Sequence, residues 1–158
     1  MLLQKGITGF SDCRNPLQTT ENFQLFKTIC YTAAAAFNAE IIEISDNQYP
    51  QNYFSANILL NGKSICILLN RYYPIIGFTR ELHGSKYFID CKELFSMLSY
   101  QYNVIACDRL NAPFDNCPHA LDKCELQQIE YYRPTSIGNI IVNYPLSKAN
   151  GLPASSSS

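Results

Sequence analysis

The sequence predicts an α+β domain in which a mainly antiparallel sheet, built on a hairpin at residues 53–71, packs against helices. The hairpin is predicted because Asn61-Gly62 separates two runs of alternating apolar residues, and a type I′ turn needs positive φ at both central positions. A helix is predicted before it, because Phe23, Phe26 and later apolar residues recur every three to four positions. Apolar stripes after the hairpin predict two or three further helices.

A two-residue turn at Asn61-Gly62 also fixes which residues of the hairpin face each other. The facing pairs are expected to be Leu60 with Lys63, Ile58 with Ile65, Ala56 with Ile67, and Phe54 with Leu69. This face is almost entirely apolar, so we expect the first helix, at about residues 20–38 and capped by Thr19 or Thr20, to dock on it. The opposite face is expected to be mixed and mostly polar, with Tyr53, Ser55, Asn57, Leu59, Ser64, Cys66, Leu68 and Asn70.

The other predicted elements are short. Strands are expected near residues 2–7 and at 40–45, 75–79, 87–90 and 104–107. Helices are expected at about 91–101, after Pro118, and within 137–144. Asp90 is expected to cap the helix at 91–101, with Leu94, Phe95 and Leu98 in its buried stripe.

Prolines mark the irregular segments of the second half. Residues 108–118 contain two prolines and two asparagines and predict a loop. Pro134 ends the helix that follows Pro118 and favours an extended Arg133. Residues 1–144 are expected to form one domain, and we expect 145–158 to be a disordered tail, part of it appended to the natural chain.

The overall composition excludes several classes of function. The chain has 158 residues, 47% of them hydrophobic and 16% charged, with a formal net charge of −1. No global basic field is present to recruit nucleic acid or an anionic membrane, and no apolar run approaches the length of a membrane span. Seven scattered cysteines, with no secretory h-region before them, indicate free thiols in a reducing cytoplasm.

Candidate catalytic and metal-binding residues are few. Cys117, His119 and Cys124, with His83 as a fourth ligand, do not have the paired spacing of a zinc site, so we expect neither a metal nor a cofactor. No glycine-rich phosphate-binding motif is present. A cysteine nucleophile with His83 or His119 as its base remains an alternative, because such partners need only meet in space.

The acidic residues concentrate in residues 108–130. Asp108, Asp115, Asp122, Glu125 and Glu130 stand against Arg109 and Lys123, so five minus two gives a net charge of −3. A solvated helix face would explain this pattern, and so would a surface that attracts a basic partner protein. For the second interpretation the partner-binding residues are Asp108, Asp115, Asp122 and Glu125, with Tyr72 and Tyr73 as aromatic anchors unless they are core residues.

Residues 125–144 carry a resemblance to a known class of proteins. Their sequence, Glu-Leu-Gln-Gln-Ile-Glu-Tyr-Tyr-Arg-Pro-Thr-Ser-Ile-Gly-Asn-Ile-Ile-Val-Asn-Tyr, is similar to C-terminal endings of the type Gln-Ile-x-Tyr-Trp-x-Pro-x-x-Ile-Gly-x-Ile-Ile-Phe-Asn-Tyr-Trp-Asp. Such endings occur in bacterial immunity proteins of polymorphic toxin and contact-dependent growth inhibition systems. Here Tyr132 and Val142 replace the Trp and Phe, and Pro145 stands where the final Trp-Asp would begin.

The resemblance implies a cytoplasmic protein without enzymatic activity. Such a protein binds one cognate toxin domain stoichiometrically and blocks its active site, and we expect the toxin to be a nuclease. Two alternatives remain open: a small cytosolic enzyme whose Cys, His and carboxylate residues meet in three dimensions, and a structural adaptor.

Overall fold

The computed structural model describes residues 2–10, 19–47, 51–80, 87–115 and 117–142. Within them the chain has the predicted α+β fold. The helices are α1 (Phe23–Ala36), α2 (Lys92–Leu98), α3 (Cys107–Leu110), α4 (Lys123–Tyr132) and α5 (Gly138–Ile141). The strands are β1 (Glu40–Asp46), β2 (Tyr53–Leu60), β3 (Lys63–Asn70), β4 (Ile75–Thr79), β5 (Phe88–Ile89) and β6 (Asn103–Val104). The predictions made for His83 and for a disordered tail at 145–158 lie outside the described residues.

The central hairpin, formed by β2 and β3, is confirmed in its register. Asn61 and Gly62 have φ values of 52° and 78°, and both are positive as the turn requires. β2 then pairs antiparallel with β3 without a register shift, from Leu60 opposite Lys63 to Tyr53 opposite Asn70. All four facing pairs expected from the sequence occur.

The sheet is mainly antiparallel, and its two edges differ. The strand order is β1-β2-β3-β4-β5, and β6 pairs in parallel with β4. The outer side of β4 is shared by β5 and β6, which have only two residues each. β1 forms the other edge with seven residues, and its pairing with β2 contains a bulge between Ile41 and Glu43.

α1 docks on the apolar face of the hairpin, as predicted. Phe26, Cys30 and Ala33 share one core with Phe54 and the other inward residues of that face, and α2 covers the same core. The helix begins at Phe23 rather than at residue 20, because the Asn22 side chain caps it by accepting a hydrogen bond from the Leu25 N–H at 2.9 Å. The threonines expected to cap it instead contact the chain after β3.

The opposite face of the sheet is more buried than predicted. Tyr53, Cys66 and Leu68 belong to a second core, which includes residues of α3, of α5 and of the N-terminal arm (residues 2–10). Asn70 is fully buried too, because its side-chain amide donates to the carbonyl oxygens of Ile7 at 2.8 Å and Ile141 at 2.6 Å. Asn70, which is predicted to lie on a mostly polar face, is thus hydrogen-bonded to backbone groups near both ends of the chain.

The predicted α2 needs two corrections. It begins at Lys92 and ends at Leu98, and it leaves Phe95 50% exposed rather than buried. Asp90 does not cap it. The Asp90 carboxylate instead accepts a hydrogen bond at 2.8 Å from the N–H of Cys107, the first residue of α3. α3 itself lies partly inside the segment predicted to be a loop.

Three further predictions are wrong in detail. The N-terminal strand is reduced to one parallel bridge between Leu3 and His119. The strand predicted at 104–107 is reduced to Asn103 and Val104, followed by one hydrogen bond from the Ile105 N–H to the Ile76 carbonyl at 3.0 Å. Arg133 is left-handed, with φ 53° and ψ 61°, instead of extended. A left-handed residue closes α4 before Pro134, since its N–H still donates to a carbonyl of the last helical turn.

Candidate functional site

Two neighbouring clefts meet at Arg109 on α3. The larger, about 580 Å³, lies between the N-terminal arm, the start of β4 and β6, and its walls are mainly apolar, with Tyr73 on one side. The smaller, about 320 Å³, lies between α3, the loop after it and the residue before α5, and includes Asp115 and Cys117. We call these the Arg109 clefts. They bring Tyr73 close to the acidic segment, although the two are remote in sequence.

α3 has a single turn, but hydrogen bonds from other elements hold it in place. Asp90 accepts from the Cys107 N–H at its start, as described above. At its end, the Asn111 side chain accepts from the Phe88 N–H at 2.8 Å and donates to the Phe88 carbonyl at 2.9 Å. This two-way amide contact attaches α3 to β5. The exposed residues of α3 are therefore held in fixed positions.

Asp108 on α3 and Asp115 on the loop after it are exposed, as the interface interpretation requires. Arg109, which lies between them in the sequence, is exposed too. Among the described residues, the one ion pair joins Arg71 to Asp46 at 2.6 Å, so the Arg109 guanidinium has no carboxylate partner there. An Arg without an internal partner is free to bind a carboxylate or carbonyl from another molecule.

Tyr72 and Tyr73 are half-buried, and their backbone is fixed by one residue. Asn70 Oδ1 accepts hydrogen bonds from the N–H groups of both, at 2.8 and 3.0 Å. The Tyr73 hydroxyl donates to the Lys5 carbonyl, and burial, followed by the charge of Glu125, raises its pKa. Tyr72 packs against Gly9, where an added Cβ would lie 3.0 Å from the tyrosine ring. Both tyrosines hold the arm, and Tyr73 also lines the larger cleft.

Glu125 does not belong to a surface, and this prediction is wrong. It is fully buried, and its carboxylate accepts hydrogen bonds from the N–H groups of Gly6 and Thr8 at 2.9 and 3.1 Å and from the Thr8 hydroxyl at 2.6 Å. It also accepts from the Asp122 N–H at 3.1 Å, while Asp122 accepts from the Glu125 N–H at 2.9 Å. The pair forms a capping box at the start of α4.

The charge of the predicted interface changes accordingly. Asp122 is half-buried and uses its carboxylate as the cap, so Asp108 and Asp115 are the two exposed aspartates of the predicted set. Without Glu125, the outward charges of residues 108–130 are four acids against two bases, or −2 instead of −3.

Four of the described cysteines, Cys30, Cys66, Cys91 and Cys107, are in environments that keep their thiols protonated. Burial raises the pKa of Cys30 and Cys66 to about 12. Burial also raises the pKa of Cys91 and of Cys107, and Cys107 donates its thiol hydrogen to Asp90 at 3.3 Å. A raised pKa lowers the thiolate fraction on which nucleophilic catalysis depends.

The His119 side chain contacts residues close to it in the sequence. Its Nδ1 accepts from the Leu121 N–H at 3.3 Å, and its ring lies 5.7 Å from that of Phe114. The neighbouring Cys117 thiol donates to the Pro118 carbonyl at 3.4 Å. Within the described ranges, no three His, Cys, Asp or Glu side chains are arranged to hold a metal ion.

The segment that carries the family resemblance has mainly structural contacts in its described part, residues 125–142. Gly138 lies against Phe88, where an added Cβ would be 2.3 Å from a ring carbon. Tyr132 stacks on Phe10 of the arm, with ring centres 6.1 Å apart. Together with the buried Glu125, these contacts join the C-terminal helices to the arm and the sheet.

Sequence reasoning missed two features of this region. Arg109 was counted only as a counter-charge, and no local pattern distinguishes it from other exposed arginines. Asn52 and Asn70 did have a signal, because they flank the hairpin almost symmetrically about its turn. Their side-chain amides both donate to the Ile7 carbonyl at 2.8 Å, and Asn52 also donates to Ile140.

No family model, no curated protein and no solved structure matches this chain. Among the described residues, no helix has the length and apolar character needed to cross a bilayer.

Proposed function

We propose that this protein is a cytoplasmic immunity protein that binds and neutralises a cognate toxin domain, with a nuclease as the expected toxin. It is proposed to act by stoichiometric protein–protein binding, without catalysis, cofactor, nucleic acid or membrane contact. The resemblance of residues 125–144 to immunity proteins motivates the proposal.

One structural observation supports a binding surface. Asp108 is exposed on α3, which is anchored by Asp90 and Asn111, and Asp115 is exposed on the loop after it, beside the Arg109 clefts. Interfaces combine anchor residues, enriched in Tyr and Arg, with charged rims. Tyr73 and Arg109 would supply the anchors here, and the two aspartates the rim.

The charges suggest how such a partner would be bound. Nuclease domains need basic surfaces to bind phosphate backbones, and an acidic rim attracts such surfaces and accelerates association. Arg109 would then bind a carboxylate or carbonyl group of the partner within the larger cleft. This arrangement combines attraction at the rim with a specific contact at the centre.

Co-expression with the product of the adjacent upstream reading frame tests the proposal. We expect that product alone to stop growth, and co-expression of this protein to restore it. We also expect the two proteins to co-purify in equal amounts. A harmless neighbour, or a lethal one that neither binds nor is neutralised, would contradict the proposed function.

Charge reversal tests the surface separately. D108K/D115K should weaken the complex at least about tenfold, since truncating or reversing charged rim pairs mainly reduces association rates. Glu130→Lys changes an exposed acid on α4 outside the clefts and serves as the matched control. If both variants bind like the wild type, the partner uses another surface, although the function itself would stand.

The enzyme alternative has less support. It requires a reactive thiol or histidine, whereas the pKa values of Cys30, Cys66, Cys91 and Cys107 are raised and the His119 Nδ1 is already hydrogen-bonded to the backbone. The adaptor alternative has no specific observation in its favour.

A further inference from the structure

Among the residues that the structure describes, β1 lies at one edge of the sheet. Among the described residues it pairs on one side only, with β2, and it ends the strand order of the sheet. Beyond its bulge, residues 43–46 pair in uniform register with β2. A regular edge strand presents backbone N–H and C=O groups outward, and such groups can pair with a strand from another chain.

The side chains of β1 divide between the two faces of the sheet. Glu40 lies opposite Leu59 and Glu43 opposite Asn57, so both glutamates belong to the face that carries the second core. Ile41 and Ile44 pack against the first core on the other face. A strand added beside β1 would therefore meet acids on one face and isoleucines on the other.

The acidic side of this edge is uncovered. The row of facing residues nearest the hairpin turn, Glu40, Leu59 and Ser64, is exposed throughout, and so is Glu43 in the next row. Ile42, the residue extruded by the bulge, is 58% exposed and belongs to neither core. An exposed branched apolar residue beside two glutamates offers both apolar and electrostatic contacts.

The charges of β1 also indicate which kind of strand can pair with it. If two copies of β1 paired antiparallel along their full length, Glu43 would lie opposite Glu43, and like charges directly opposite are destabilising. A second copy is therefore disfavoured. A strand with basic side chains opposite the glutamates gains cross-strand ion pairs at the same positions.

We propose that the edge of β1 binds a partner segment in which basic and apolar residues alternate, added as a further antiparallel strand. Its basic side chains lie beside Glu40 and Glu43, and its apolar side chains lie beside Ile41 and Ile44. This surface is distinct from the Arg109 clefts, and the inference does not depend on the proposed immunity function.

An NMR titration of the ¹⁵N-labelled protein with the peptide Lys-Val-Lys-Val-Lys-Val-Lys, which has the length of β1, tests the inference. We expect saturable shifts of the backbone amides of β1. The variant E40Q/E43Q should weaken binding about fivefold, because it removes two cross-strand ion pairs. Since both glutamates are exposed, the variant should keep the wild-type spectrum elsewhere.

Two controls make the result decisive. Glu130→Gln removes an exposed acid on α4, away from both surfaces, and should bind the peptide like the wild type. A peptide with Glu in place of each Lys should not bind. The inference is overturned if millimolar Lys-Val peptide leaves β1 unshifted, if E40Q/E43Q binds it unchanged, or if the shifts lie at residues 108–115 instead.

Discussion

Glu125→Ala tests whether one buried carboxylate holds the N-terminal arm. Glu125 is fully buried on α4 and accepts hydrogen bonds from the Gly6 N–H, the Thr8 N–H and the Thr8 hydroxyl at 2.9, 3.1 and 2.6 Å. Removing the side chain leaves these three donors facing a site without an acceptor. The Asp122 N–H, at the exposed end of the helix, can bind water instead.

The magnitude follows from those three donors. A buried donor left unsatisfied costs about 1–3 kcal/mol. Three such donors would together cost about 3–9 kcal/mol, which is comparable with the whole stability of a small domain, but the arm can detach and let water reach them. We therefore expect Glu125→Ala to lower the free energy of unfolding by roughly 3–5 kcal/mol. Glu125→Gln keeps one acceptor oxygen and should cost about half as much.

Urea unfolding followed by circular dichroism measures the loss, and hydrogen exchange locates it. The amides of Gly6 and Thr8 should exchange faster in Glu125→Ala than in the wild type, since they lose their acceptor. Glu130→Ala, an exposed acid on the same helix, should change stability by less than about 0.5 kcal/mol. A loss below about 1 kcal/mol in Glu125→Ala, with both arm amides still protected, would show that Glu125 does not hold the arm.

Three other expectations follow from buried groups. Gly138→Ala should destabilise the protein by about 1–3 kcal/mol, because the new Cβ would lie 2.3 Å from the Phe88 ring, and an unchanged melting temperature would contradict this. Asn70→Ala should lower the free energy of unfolding, measured in urea, by about 2–4 kcal/mol, since it removes four hydrogen bonds to the backbone. Asn61→Ala, in the exposed turn, should lower it less. Burial raises the pKa of Cys30 and Cys66 from 9.0 to about 12, so the folded state keeps protons that the unfolded chain loses. The free energy of unfolding should therefore fall as the pH rises from 9 towards 12, and urea midpoints that do not fall above pH 9 would contradict it.

The hairpin was predictable because its signal is local. The Asn61-Gly62 turn and the alternating residues around it determine the register without information from distant parts of the chain. α1 was predictable for the same reason, apart from its first turn. There, Asn22 caps the helix instead of Thr19 or Thr20, because these threonines are hydrogen-bonded to the residues that follow β3.

The burial of the second face could not be read from the pattern of the strands. Ser55 and Asn70 are polar, so alternation marked their face as solvated. The residues that cover it come from the arm and from α5, at opposite ends of the sequence. Contacts between segments so far apart in the sequence produce no periodic pattern of residues in either segment.

The backbone contacts of Glu125 do have a signal in the sequence. Asp122 followed three residues later by Glu125 is the spacing of a capping box, which predicts that both carboxylates bind backbone N–H groups. Counting them as surface charges overestimated the acidic interface. Arg109 carried no comparable signal, because its position at the junction of two clefts depends on the packing of α3 against β5.

Titration calorimetry with the purified product of the adjacent reading frame tests the proposed function most directly. We expect one-to-one binding that D108K/D115K weakens at least about tenfold while Glu130→Lys does not. Absence of heat of binding with the folded wild-type protein, at concentrations where the neighbouring product is itself folded, would contradict it.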